Sequence, residues 1–263
     1  MKWKAMTFNL RYNEPRDGEN AWPYRIGRAA QMIRAHAPDL FGTQEGLYSM
    51  LNDLKGELEE YGWIGTGRNG GQEGEHCAIF YRKDRFEVTR QGQFWLSETP
   101  DVPASKSWDS SLPRICTWGE FRERESGKSF LFYNTHLDHR GSEARLNGIK
   151  LVYESMEANR RERGLPAVLT GDMNCTPDSE PIRFLRGELE AEHRRSDLKD
   201  AFAKAAQPVG RTYNGFKGLE DGQPIDYIFV SPDVEVISTV VDRSQYGGGY
   251  PSDHYPVAAD LRI

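Results

Sequence analysis

"LTGDMNCTPDS", residues 169–179, places Asp172 and Asn174 two positions apart where an apolar, strand-like run ends. Two readings share these residues. Asp and Asn readily bond their own backbone in turns and Pro177 follows, so a turn accounts for the pattern. Alternatively, a rigid strand end aims two polar groups at one substrate, and the i, i+2 spacing predicts both side chains on the same strand face. The remainder of the chain has to choose between a turn alone and a site.

Working outward, "AVLTGDMN" belongs to a long series of strand-like segments. "KAMTFNLRY" (4–12) and "DLFGTQE" (39–45) read as strands around the helical spacing of "YRIGRAAQMIRAHA" (24–37), which stops before Pro38. "LYSMLNDLKGELEE" (47–60) reads as a second amphipathic helix. Five short β-rich segments follow, from "YGWIGTG" to "SFLFYNTHLD" (129–138), and then a long helix over 142–163. A helical region is expected near residues 179–206, before the closing strands "IDYIFVS", "VEVISTVV" and "VAADLRI". Strands cluster on both sides of a few helices instead of alternating with them, which predicts a layered α+β sandwich. With no repeat, linker or low-complexity tract, the chain is expected to form one domain over residues 1–263.

Composition excludes several classes. Hydrophobic residues are 37% and charged residues 28%, with 34 Lys+Arg against 40 Asp+Glu and a net charge of −6. That balance argues against tight duplex binding. Cys77, Cys116 and Cys175 are odd in number and far apart, so neither a disulfide framework nor a zinc–thiolate site is expected. No run suits a secretory signal or a membrane span, and a cytoplasmic location is the expectation.

Polar groups recur at the predicted strand ends: Asn9, Glu45, His136 with Asp138, Asp172 with Asn174, and Asp226. Asp253–His254 precede the final strand. Each alone has an ordinary structural explanation. Together they form a set rich in Asp, Asn, Glu and His and poor in thiols, which suits Mg²⁺ or Mn²⁺.

The ordered motifs "NLR" (9–11), "QE" (44–45), "NTHLD" (134–138), "GDMN" (171–174), "IDYIFVS" (225–231) and "SDHYPV" (252–257) resemble the endonuclease/exonuclease/phosphatase superfamily, over nearly the whole chain. Its members include type I deoxyribonuclease-like nucleases, deadenylases, neutral sphingomyelinases and inositol polyphosphate 5-phosphatases. The loops "DGENAW", "FWLSETP" and "SKSWDSSLPRICTW" are similar to a bacterial group within it. The resemblance implies a four-layered α/β/β/α sandwich, two packed, mostly antiparallel sheets with outer helices, and the site at one mouth. It implies a phosphoesterase using one Mg²⁺ or Mn²⁺, held by Glu45 with Asn9, and by Asp253 directly or through water. Asp172 would orient and deprotonate water, Asn174 would bond the phosphoryl group, and His136 and His254 would donate to its oxygens. Asp226 would fix the tautomer of His254. Either Asp172 or His254 is the base.

Some positions depart from the pattern or stay open. Arg11 stands where some nuclease relatives carry an acidic residue, and reads as a phosphate clamp or a surface arginine. Arg114 shares that choice, while His76 and His139 read as rim residues or ordinary surface histidines. Trp22, Trp95 and Trp108 read either as a stacking surface for bases or as anchors of their loops. Cys175 reads as packing. The expected substrate is a small phosphorylated metabolite, nucleotide, oligonucleotide or single-stranded end. The alternatives are a nuclease on longer nucleic acid and a noncatalytic binding module.

Overall fold

The computed structural model describes residues 1–191, 193–206 and 208–263. The chain opens with β1 (Lys2–Asn9), α1 (Trp22–His36), β2 (Leu40–Gln44), α2 (Tyr48–Glu57), β3 (Tyr61–Ile64) and β4 (Ile79–Arg82). Then come β5 (Phe86–Trp95), β6 (Ile115–Glu123), β7 (Ser129–His136), α3 (Ser142–Arg163), β8 (Ala167–Asp172) and α4 (Glu180–Leu185). The remaining strands are β9 (Lys199–Asp200), β10 (Asp226–Val230), β11 (Glu235–Val241) and β12 (Val257–Arg262). They form two six-stranded sheets, β11-β12-β1-β2-β4-β3 and β5-β6-β7-β8-β10-β9. Only the pairs β1–β2 and β7–β8 are parallel among those described, so both sheets are mostly antiparallel, as expected.

Alternation along β1 shows how the layers arise. Met6 and Phe8 pack with Ala29, Ile33, Met50 and Leu54 of α1 and α2, on the outer face of the first sheet. Trp3 and Ala5, of opposite parity, join the core between the sheets. Asn9 shares the parity of Trp3 and Ala5, so the strand delivers it to the gap between the sheets. On the second sheet, Ile149, Val152 and Met156 of α3 and Ile182 and Leu185 of α4 complete the outer layer. The result is a four-layered α/β/β/α sandwich.

One polar clamp crosses the apolar gap. Asn134 of β7 donates to Thr43 O (2.8 Å) and Ala78 O (3.0 Å) of the facing sheet, and accepts from Gln44 (2.7 Å) and Thr170 (3.1 Å). All four bonds are buried, so none competes with water. Gly42 permits this approach, since a Cβ there would collide with Thr170 Oγ1 and Asn134 Oδ1.

The helix expected over 179–206 is largely absent. Among the described residues, α4 ends at Leu185, Gly187 takes a left-handed φ of 67°, and only a 3-10 turn at Ala201–Lys204 follows. The Ser196 hydroxyl accepts from Leu198 N and the Asp200 carboxylate from Phe202 N, local bonds that compete with helix. No helix of the described residues is long and apolar enough to cross a membrane.

Candidate active site

Strand register gathers the polar groups at one mouth. In the parallel pairs Asn9 lies opposite Gln44, beside Glu45, and His136 lies opposite Asp172. Asp226, expected at a strand end, instead begins β10. Because β10 runs antiparallel to β8, its start meets the end of β8, and Asp226 pairs with Asp172. Asn9 then joins the sheets, its Nδ2 donating to Glu45 Oε1 (3.1 Å) and Asp172 Oδ2 (2.9 Å). A cavity of about 710 Å³ opens over these groups, lined among others by Glu45, His136, Asp172, Asn174, Asp253 and His254.

Three buried groups set the electrostatics. His254 Nδ1 donates to Asp226 Oδ2 at 2.9 Å, which leaves Nε2 facing Asp172 Oδ2 at 3.8 Å. Burial alone would lower the His254 pKa, but Asp226, Asp172 and Asp253 outweigh it and hold the ring as an imidazolium well above its ordinary range. Burial, and then the charge of Asp226, push Asp172 up to about 7. Burial, reinforced by Arg114 and His254, drives His136 well below its ordinary value. The two histidines therefore differ in character, one cationic and one neutral.

Asn174 corrects the expectation from strand spacing. It lies beyond β8 at φ 47°, and its N–H donates to Asp172 Oδ1 at 2.9 Å, so it does not share a strand face with Asp172. The turn and the site are the same object, since the turn carries Asn174 to His136. Its Nδ2 donates to Leu137 O (3.1 Å) and His136 Nε2 (3.0 Å). In this geometry His136 Nε2 accepts, opposite to the donor role that the resemblance implies.

Glu45 sits at φ 62° and Arg11 at φ 54°, backbone states that a non-glycine residue adopts at a cost and that recur at functional sites. Tyr12 N and Asn9 hold the Glu45 carboxylate into the cavity. Arg11 lines the same cavity but forks onto Asp17 (2.9 and 3.1 Å), with Asp253 at 3.8 Å. Arg114 is buried at the wall, bonded to His139 Nδ1 (3.0 Å), and its Nε has no hydrogen-bond partner among the described residues. Asp138 lies behind it, accepting from Ser111, Leu112, Arg140 and Gly141 backbone N–H groups and fixing the loop that carries Arg114.

His76, expected at the rim, is buried outside this cavity. Its Nδ1–H is shared between Gly46 O and Gly74 O, and its ring packs against Trp63. Trp22 and Trp95 are buried anchors, donating to Asp53 and Arg68 O. The aromatic side chains lining the cavity are Tyr12 and Tyr213, the latter edge-on to His254 at 5.1 Å.

Sequence reasoning missed Arg25, Arg68, Glu75 and Tyr213. Arg25 is fully buried in α1, and its guanidinium ties Leu10 O, Arg11 O, Asn20 O and Pro251 O together. Leu10 and Arg11 follow Asn9, and Pro251 lies two residues before Asp253. A charged residue inside the apolar stripe Trp22, Ala29, Ile33 was the available signal.

The donor set suits a hard divalent ion. Glu45, Asp172 and Asp253 offer carboxylate oxygens around one cavity, and burial and then the charge of Glu45 count among the causes that raise Asp253. Ligand atoms of Asp172, Asp226 and His254 also lie within 4.8 Å of one another, but two of them already bond each other in the His254–Asp226 pair.

Comparison with known proteins supplies the family and the fold. Residues 6–254 match the model of the Endonuclease/Exonuclease/phosphatase family. A mannosyl-6-phosphatase from Bacteroides thetaiotaomicron superposes with a TM-score of 0.91 and 38% identity, covering 99% of this chain and 100% of its own. A family protein from Bacteroides vulgatus gives a TM-score of 0.91 and 38% identity, covering 100% and 99%. Protein angel of Drosophila melanogaster is 28% identical over 186 residues, 64% of this chain and 48% of that protein. The chain thus spans about half or less of the curated relatives it matches.

Proposed function

Because this chain belongs to the endonuclease/exonuclease/phosphatase family of phosphoric-ester hydrolases, we propose that it is a Mg²⁺-dependent phosphatase of small phosphorylated substrates. The observation that carries this reading is the His254–Asp226 pair held 3.8 Å from Asp172 at the floor of a small cavity that also contains Glu45. The likeness to a mannosyl-6-phosphatase supports a sugar phosphate over a polymer.

Asp172, raised toward neutrality, is suited to take the proton of an attacking water. The water oxygen bonds to phosphorus and the ester P–O bond breaks. The leaving oxygen takes a proton from solvent while Asp172 returns its proton to solvent, so the products are an alcohol and inorganic phosphate. The His254 imidazolium, fixed by Asp226, donates to the nonbridging oxygens as charge builds there. Neutral His136 and Leu137 O orient the Asn174 amide beside them. Glu45, Asn9 and Asp253 would hold one Mg²⁺ (or Mn²⁺), which when bound supplies positive charge to the phosphate oxygens.

The test is a panel of phosphomonoesters and bis(p-nitrophenyl) phosphate, assayed with Mg²⁺, with EDTA, and with Mg²⁺ restored. Monoester hydrolysis that EDTA abolishes and Mg²⁺ recovers is expected. Full activity in metal-free protein, or none on any phosphoester, would refute the proposal.

A further inference from the structure

The segment Gly67–His76 between β3 and β4 carries a second polar feature into the cavity. Arg68 Nη1 bonds Glu75 Oε2 at 2.8 Å, and both side chains line the wall next to Arg114. The segment is tightly built. Gly67 N donates to Gly71 O (2.7 Å), Arg68 N to Glu75 O (2.9 Å) and Asn69 N to Glu73 O (3.0 Å). His76 N donates to Gly46 O (2.8 Å), next to Glu45, and Trp95 Nε1 caps Arg68 O (2.7 Å). The pair is therefore preorganised beside the phosphate-handling groups without belonging to them.

Its chemistry limits what it can bind. Glu75 Oε1 and Arg68 Nε and Nη2 make no hydrogen bond within the described residues, and they are not sealed from solvent. The pair is neutral as a unit, so it offers no net attraction to a second phosphate, and the carboxylate repels one. It offers an unbonded carboxylate oxygen and several guanidinium N–H groups on one cavity wall, which is what adjacent hydroxyl groups satisfy, since each hydroxyl both donates and accepts. A substrate without hydroxyls would leave both charged groups half-solvated at a cavity wall.

Resting on the phosphatase reading, we infer that Arg68 and Glu75 form a polyol subsite, making the preferred substrate a phosphomonoester of a sugar or similar polyhydroxyl compound. A site that bonds hydroxyl groups discriminates strongly against an analogue that lacks them, because its own polar groups are then left unpaired. Specificity would thus lie on the β3–β4 segment and the chemistry at the strand ends.

The experiment compares hexose 6-phosphates with cyclohexylmethyl phosphate, which has a similar ring and linkage but no hydroxyls. For each protein the readout is the ratio of kcat/KM on the two substrates. Wild type is expected to favour the hexose phosphate, and Glu75→Gln to lower the ratio about 10- to 100-fold, the range for a hydrogen bond to a charged group. Arg68→Gln should lower it likewise, and serves if Glu75→Gln does not fold. A ratio within about twofold of wild type in a folded variant, or a wild-type ratio near one, would overturn the subsite. No hydrolysis of either ester would refute the phosphatase reading itself, and this inference with it.

Discussion

Replacing Asp226 with Asn removes one charge and keeps the shape. The carboxylate lies 2.9 Å from His254 Nδ1, with both groups buried. At an effective dielectric constant near 20, a unit-charge pair at that distance is worth about 6 kcal/mol, which sets a ceiling on what the substitution can remove from the imidazolium. Asp172 and Asp253 still stabilise the cation, so the realised loss is smaller. A fall in kcat of about 10²–10⁴ follows, equivalent to about 3–5 kcal/mol of barrier. The sign with pH is definite. His254 is raised by Asp226, so its loss of a proton moves to lower pH in the variant, and the alkaline limb of the kcat profile moves acidward. Because the charge of Asp226 also helps to raise Asp172, the acid limb moves acidward as well. The assay is kcat against pH with a chromogenic phosphomonoester, with circular dichroism confirming the fold. Wild-type kcat and unmoved limbs in folded Asp226→Asn would refute the role assigned to the pair.

Other perturbations probe separate parts of the molecule. Glu45→Gln should raise the Mg²⁺ concentration for half-maximal activity at least tenfold with little change in melting temperature, measured by metal titration and thermal unfolding; wild-type metal dependence would exclude Glu45 as a ligand. Gly42→Ala should destabilise the protein by about 1–3 kcal/mol in denaturant unfolding, because the added methyl group meets Thr170 and Asn134 between the sheets, and wild-type stability would contradict the close approach. Hydrolysis of small phosphoesters should change little between low and physiological salt, and plasmid DNA should be cut poorly. Of the cavity's arginines, Arg11 is engaged with Asp17 and Arg68 with Glu75, and a duplex binder shows a log–log slope near −0.9 per phosphate neutralised. Efficient plasmid nicking that falls steeply with salt would overturn that expectation.

Features written into local periodicity were legible in the sequence. The 22-residue α3 and the strand "SFLFYNTH" follow directly from spacing and flanking residues. Strand polarity was not, so Asp226 read as a strand end, although β10 starts with it and reaches Asp172 only because β10 runs antiparallel to β8. Asn174 looked like a strand residue because left-handed backbone leaves no signature beyond a tolerance for Asn. Arg68 and Glu75 are seven residues apart in a glycine-rich segment, and nothing local announces that His76 docks that segment against Gly46. The region after Arg186 carried helix-forming residues, but Gly187 and local side-chain bonds outweighed their propensity.

The two bonds donated by Asn9 have a further consequence. Glu45 lies at the end of a strand in one sheet and Asp172 in the other, and a single amide nitrogen spans them at 3.1 and 2.9 Å. A slide of about 1 Å between the sheets would lengthen one of these bonds beyond useful range. Turnover is therefore a gauge of interlayer alignment. A collapsed form that kept both sheets but lost their mutual registry would retain its far-ultraviolet dichroism and be catalytically silent. On gentle denaturation, loss of turnover should run ahead of loss of strand content.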